Sequence, residues 1–170
     1  MDNIFTPNWE RRLEAQFLAN NRCRKRAYIC SPLSAPTKQE FIWNMRTARA
    51  YMLYAMEKMN MDARAPHAYL PMLLCDAVPA ERALALLFGQ RLLEQSDLVL
   101  VCGNRLSKGM RSEIAYAASL NMPIMVFDEE LYLEVRKIVT QHSGSKKTVC
   151  IDRDHFPMAM TEPTNYLEEL

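Results

Sequence analysis

The residue of this 170-residue sequence best placed to do chemistry is Glu113, which follows a loop rich in glycine and hydroxyl side chains. The run Gly103-Asn104-Arg105-Leu106-Ser107-Lys108-Gly109-Met110-Arg111-Ser112-Glu113 ends at the start of a helical pattern. The first N–H groups of a helix have no partner within it, and together with the helix dipole they favour an anion such as a phosphate or a carboxylate. Residues 113, 117 and 120 share one helical stripe, and the latter two are Ala117 and Leu120, so the Glu113 carboxylate is aimed at a partly apolar edge. Two readings stand side by side: a reacting carboxylate, or an acid that complements the dipole and contributes ~0.3 to 1 kcal/mol. The loop matches neither G-x-x-x-x-G-K-[ST] nor G-x-G-x-x-G, which argues against a nucleoside triphosphatase and a dinucleotide dehydrogenase. Cys23, Cys30, Cys75, Cys102 and Cys150 form no C-x-x-C pair and no ligand spacing with His67, His142 or His155, so neither a metal site nor a cofactor is expected. Cys30, Cys102 and Cys150 end or interrupt apolar strand-like runs, where a thiol is expected to be a small buried hydrophobe.

The elements that must position Glu113 alternate in type. Ala27–Ser31 is a short apolar strand, followed by the loop Ser31–Pro36 and a long helix. In that helix Phe41, Met45, Ala48, Met52, Ala55 and Met59 recur at helical steps and predict a core face, with a partner-binding face as the rival. Ala63–Leu70 is weakly strand-like, and Pro66 predicts that its second half leaves the sheet to form a wall above it. Pro79 opens a helix to about Gln95, with Leu84, Leu87, Phe88 and Leu92 supplying its periodicity. Asp97–Cys102 and Pro123–Phe127 are continuous apolar runs, as parallel strands covered on both faces require. Met110–Asn121 and Leu131–Gln141 are helical, and Thr148–Ile151 is a last strand. Repeated βα units of this kind predict an α/β, Rossmann-like (flavodoxin-like) doubly wound parallel sheet of about five strands with helices on both faces. Ligands of such sheets bind outside the carboxyl ends of the strands where strand order reverses, which brings the loops at Ser31–Pro36 and Gly103–Gly109 together. Residues 1–25 are expected to form a helical extension around Trp9–Leu18, residues 26–151 the α/β domain, and residues 152–170 an irregular tail able to wrap a neighbour.

Composition narrows the function. The 21 basic and 20 acidic side chains leave a net charge of +1, which gives no field for steering a polyanion, so nucleic acid is not the expected partner. The basic run Arg22, Arg24, Lys25 and Arg26 is most simply a solvated junction. No apolar run reaches the ~18 to 20 residues of a bilayer span, so no membrane association is expected. Met1–Asn20 has no uninterrupted apolar stretch of the secretory kind, and the expected location is the cytoplasm.

The segment Asp97–Phe127, containing SKGMRSEIAYAASLNMPIMVF, together with Arg26–Ser31 and Ala65-Pro66-His67, resembles the nucleoside 2-deoxyribosyltransferase-like superfamily, most nearly a bacterial and phage branch of it. The resemblance covers roughly Arg26 to Phe127. It implies that Glu113 attacks, or activates attack on, the anomeric carbon of a sugar, and that Tyr28 hydrogen-bonds Glu113. Nucleoside monophosphate hydrolases of the superfamily hold the 5′-phosphate with a serine six residues before the glutamate, where Ser107 stands; the transferases carry aspartate there, so Ser107 points to nucleotide hydrolysis. Ser31, Ser34 and the helix-start N–H groups of Gly109 and Met110 would then fix the phosphate, and His67, Asp76 or Glu81 would approach the base. The hydrolases also carry an aspartate eight residues before the position of Asp97 that assists the leaving base; Gly89 stands there in this sequence. For Asp97 itself a structural role at the strand start outweighs ligand contact. The expectation is a protein that binds a small-molecule nucleotide or nucleoside and hydrolyses the N-glycosidic bond of a (deoxy)nucleoside 5′-monophosphate or transfers its sugar. The alternatives are a non-catalytic nucleotide-sensing or protein-interaction module of the same fold, and a structural oligomer built on the Met-rich helix. Because the superfamily commonly completes its pocket with a neighbouring subunit, the resemblance also implies a homo-oligomer.

Overall fold

The apolar runs become the strands of one parallel sheet. The computed structural model describes residues 24–142 and 148–161, so the expected helix at Trp9–Leu18 and Arg22 of the basic junction lie outside the described residues. Chain order is β1 (Arg26–Cys30), α1 (Lys38–Lys58), β2 (Asp62–Arg64), α2 (Pro66–Leu73), α3 (Pro79–Glu94), β3 (Leu98–Val101), α4 (Lys108–Ser119), β4 (Ile124–Val126), α5 (Glu129–His142) and β5 (Val149–Ile151), then a 3-10 turn at Phe156–Ala159. The five strands pair in parallel in the order β2-β1-β3-β4-β5. The direction of sheet growth therefore reverses between β1 and β3, the place where doubly wound sheets bind ligands. Asp97 pins the start of this central pair: its carboxylate accepts from the Arg26 backbone N–H at 2.7 Å and from the guanidinium at 2.9 Å, and that partner holds its carboxyl down to about 2.

Alternation along the strands divides the core in two. Tyr28, Cys30, Val99, Val101, Ile124 and Val126 face the side covered by α4, α5 and the end of α3. Ala27, Ile29, Leu98, Leu100 and Cys102 face the side covered by α1, α2 and Met158 of the 3-10 turn. Burial of both faces explains why these strands lack polar alternation in sequence.

The helices begin where local chemistry allows. Thr37 caps α1 by accepting from the Glu40 N–H at 3.2 Å while its hydroxyl donates to the Glu40 carboxylate at 2.8 Å, and Ser107 caps α4 by accepting from the Met110 N–H at 3.2 Å. Pro66 and Pro79 stand in the first turns of α2 and α3, where a missing N–H costs nothing. The wall expected after β2 is therefore helix α2, which carries His67 near its start.

Several expectations are corrected. The seat of α1 is Thr47, Ala48, Ala50, Tyr51 and Ala55, while Met45, Met52 and Met59 are only half-buried, because small side chains let the helix lie close to the sheet. Among the described residues of α3 only Leu93 is fully buried, and Leu84, Leu87 and Phe88 of the expected apolar stripe are exposed. Cys150 is exposed because β5 is an edge strand, whereas Cys30 and Cys102 are buried as expected. The chain after residue 152 includes the 3-10 turn, with Met158 fully buried, its carbonyl accepting from the Gly103 N–H at 2.8 Å, and the Met160 carbonyl accepting from the Tyr51 hydroxyl. Among the described residues no helix is long and apolar enough to cross a membrane.

Candidate functional site

Tyr28 lies at the middle of β1 on the face that α4 covers, and Glu113 lies on α4 one turn beyond its buried Met110. This crossing brings two residues 85 positions apart into contact: the Tyr28 hydroxyl donates to Glu113 Oε1 at 2.9 Å. Burial, and then the neighbouring Glu113 carboxylate, push the Tyr28 phenol well above its usual range, so the hydroxyl remains a protonated donor. Burial, with Glu113 again adding to it, pushes the Cys30 thiol up as well, which makes Cys30 a packing residue and not a nucleophile.

His67 closes the group from above. Its Nδ1 lies 3.0 Å from the Ser31 carbonyl, which can only accept, so Nδ1 carries the proton. Its Nε2 lies 3.5 Å from Glu113 Oε1. Oε1 thus has two neighbours, and Glu113 Oε2 is buried with no hydrogen-bond partner. An oxygen left unsatisfied in a half-buried place is costly unless something else meets it there.

The Glu113 side chain also lines a cavity of about 310 Å³ bounded by β1 and helices α1, α2, α3 and α4. Leu33, Phe41, Leu70, Leu74 and Leu86 supply apolar walls, and Tyr28, His67, Asp76, Glu81 and Glu113 supply the polar groups. Apolar walls with a few converging polar groups are the usual make-up of a small-molecule site, at the lower end of the ~300 to 1,000 Å³ range. Gly89 of α3 also lines the cavity, and a Cβ there would lie 3.6 Å from the Tyr28 hydroxyl oxygen.

The remaining sequence candidates sit elsewhere. Ser31 and Ser34 line a second cavity of about 450 Å³ on the α1 side of the sheet, with Asn44, Tyr51, Gly103 and Arg105. Ser31 is three residues from Tyr28, and strand parity sends the two side chains to opposite faces. Ser107, Gly109 and Met110 line neither cavity: the Ser107 hydroxyl accepts from the Met110 N–H as the helix cap, and the Met110 side chain is fully buried in the core. Tyr116, one turn after Glu113, lines the first cavity and escaped the sequence reading, although its spacing from Glu113 is the helical signal that could have found it. Its hydroxyl donates to Glu94 at 2.5 Å and accepts from the Gln90 amide at 3.0 Å, which ties α3 to α4 beside the site. Among the described residues no group of three or more His, Cys, Asp or Glu is arranged to hold a metal ion.

No curated protein matches this chain. The model of DUF7768, a domain of unknown function, matches residues 25–127, from the start of β1 to the end of β4, and so includes Tyr28, His67, Gly89 and Glu113. That span is more than half of the sequence and contains every helix and strand that borders the first cavity; the chain belongs to the DUF7768 family.

Proposed function

We propose that the protein binds a nucleotide or nucleoside and cleaves its N-glycosidic bond, by hydrolysis or by transfer of the sugar, with Glu113 as the nucleophile and Tyr28 orienting it. The single observation that carries this reading is the Tyr28–Glu113 hydrogen bond of 2.9 Å beside a cavity, with the second carboxylate oxygen buried and unpartnered. Breaking an N-glycosidic bond develops positive charge at the anomeric carbon, and a carboxylate held beneath that carbon stabilises the charge or bonds to it. Tyr28 and His67 both approach Oε1 and so fix the orientation of the carboxylate. The resemblance to the nucleoside 2-deoxyribosyltransferase-like superfamily assigned these roles to Glu113 and Tyr28 from sequence, and their contact supports that assignment.

The test is to incubate the full chain and its Glu113→Gln variant with a panel of nucleosides and nucleoside monophosphates and to follow free base by chromatography. Base release by the native chain that the variant loses is the expected result. Tight binding of a nucleotide with no release by either protein favours the second reading, a nucleotide-sensing or protein-interaction module, which Gly89 in place of the superfamily's acid supports.

Self-association belongs to the same proposal. Met72 and Leu73 at the end of α2 are 74% and 76% exposed and Leu86 of α3 is 67% exposed, an apolar surface next to the cavity walls that a second copy would cover. This surface lies on α2 and α3 and not on the Met-rich helix α1.

A further inference from the structure

The reaction proposed above needs something to happen to the departing base, and the cavity holds no group free to protonate it. The Tyr28 hydroxyl proton is engaged by Glu113 and the His67 Nδ1 proton by the Ser31 carbonyl. His67 Nε2 is 3.5 Å from Glu113 Oε1, on the nucleophile's own side, whereas an acid and a nucleophile that work on opposite faces of an anomeric carbon stand ~5 to 5.5 Å apart. Asp76 is ion-paired with the Arg82 guanidinium at 3.8 Å, and Glu81 accepts from the Cys75 N–H at 2.5 Å. On α3, where a side chain would face the Tyr28 hydroxyl, stands Gly89.

The same cavity is electronegative. Its lining carries three carboxylates, Asp76, Glu81 and Glu113, against one guanidinium, Arg82, so two negative charges are left over when His67 is neutral. Phe41 and Tyr116 add aromatic surface, which attracts a cation as well. A phosphate group inside the cavity would meet these carboxylates, and Ser31, Ser34 and Ser107, the serines expected to receive it, lie outside.

Resting on the reading of Glu113 as nucleophile, we propose that the substrates are N-glycosides whose base already bears a positive charge, pyridinium nucleosides in the first place, so that the base leaves neutral without being protonated. As the C1′–N bond breaks, its electron pair returns to the ring nitrogen and cancels the positive charge, while the Glu113 carboxylate bonds to C1′. Water then adds to C1′, the bond from C1′ to the Glu113 oxygen breaks to restore the carboxylate, and one proton of the water is released to solvent. Cation and water become neutral base, free sugar and one proton.

Nicotinamide riboside is the pyridinium probe, compared with neutral purine and pyrimidine nucleosides and with its own reduced, uncharged dihydropyridine form. A general acid contributes ~10² to 10⁴-fold, so a site without one should favour the pyridinium probe by ~100-fold or more in kcat/KM. One proton should be released per turnover, and Glu113→Gln should abolish the release of nicotinamide. Glu81→Gln, which keeps an oxygen to accept from Cys75, should lower the preference for the pyridinium probe over neutral nucleosides several-fold in kcat/KM. If neutral nucleosides are cleaved as well or better, in a Glu113-dependent way, this inference is overturned and the reaction class stands. An unchanged preference in Glu81→Gln overturns the electrostatic selection. If no glycoside of either charge loses its base, this inference and the proposed reaction fall together.

Discussion

Two cavities flank the carboxyl half of β1, one on each face of the sheet, and they differ in how their polar groups are used. On the α1 side three of the groups are bound to the backbone, Thr47 donating to the Trp43 carbonyl at 2.9 Å, the Asn44 amide to the Leu33 carbonyl at 3.0 Å and the Tyr51 hydroxyl to the Met160 carbonyl, while Ser31 Oγ is buried with no partner among the described residues. These bonds close the loop after β1 and fasten the chain that follows β5. On the α4 side Tyr28, His67 and Glu113 meet one another, and one carboxylate oxygen is left over. Volume does not separate a site from a crevice here, since the second cavity is the larger, about 450 Å³ against about 310 Å³. The separation lies in whether polar side chains bond mainly to the backbone or converge on one another beside the cavity.

The contrast can be broken by substitutions on each side. The largest effect is expected for Glu113→Gln, which should lower base release by at least ~10²-fold, the scale lost when a preorganised electrostatic partner of a transition state is removed. Circular dichroism should show the fold retained, because the Gln oxygen still accepts from Tyr28. Tyr28→Phe keeps the buried ring and removes one hydrogen bond to a charged group, of ~1.5 to 3 kcal/mol, so kcat should fall about 10- to 100-fold. The same variant tests the pH dependence. In the fold Tyr28 is held protonated well above its usual range, whereas in the unfolded chain it ionises near ~10, so its contribution to stability is complete below about 10 and is lost as the pH rises. Urea midpoints of the native chain should therefore decline more steeply above about pH 10 than those of Tyr28→Phe.

Smaller effects are expected on the other side and at the edge of the site. Tyr51→Phe removes the bond to the Met160 carbonyl and should cost about 1 kcal/mol of stability, with base release unchanged. Loss of activity in Tyr51→Phe equal to that in Tyr28→Phe would erase the distinction between the two cavities. Gly89→Ala meets Tyr28 at an ordinary contact distance of 3.6 Å and adds helix propensity within α3, so the melting temperature should rise by the equivalent of ~0.5 to 1 kcal/mol. A fall would mean that the phenol tolerates no neighbour at that place.

Much of the fold was legible because its signals are local. Asp97–Cys102 and Pro123–Phe127 became β3 and β4, and Pro79 opened α3, since unalternating apolar runs and first-turn prolines act through neighbouring residues alone. The stripe Leu84, Leu87 and Phe88 misled, because periodicity states that a helix has an apolar face and not that anything covers it. Cys150 misled for a related reason: an edge strand and a central strand have similar short sequences, and only the pairing order tells them apart. At the site, Tyr28 and Glu113 were named through the resemblance and met as expected. Ser31 and Ser34 were named with them and fell on the other face, although counting residues along the strand from Tyr28 would have separated Ser31.

The sequence by itself determined the five strands, the long helices that follow β1, β3 and β4, the start of α3 at Pro79, and the identity of the acid at residue 113. Each of these depends on side chains within a few residues of one another. Only the tertiary structure decided that the Tyr28 hydroxyl meets Glu113 across 85 positions, that His67 stands above them, and that α3 presents Gly89 with no acid to the same cavity. Those contacts form where separate elements cross, and the distance between crossing elements is set by how all their buried side chains pack at once. No stretch of chain encodes that distance alone.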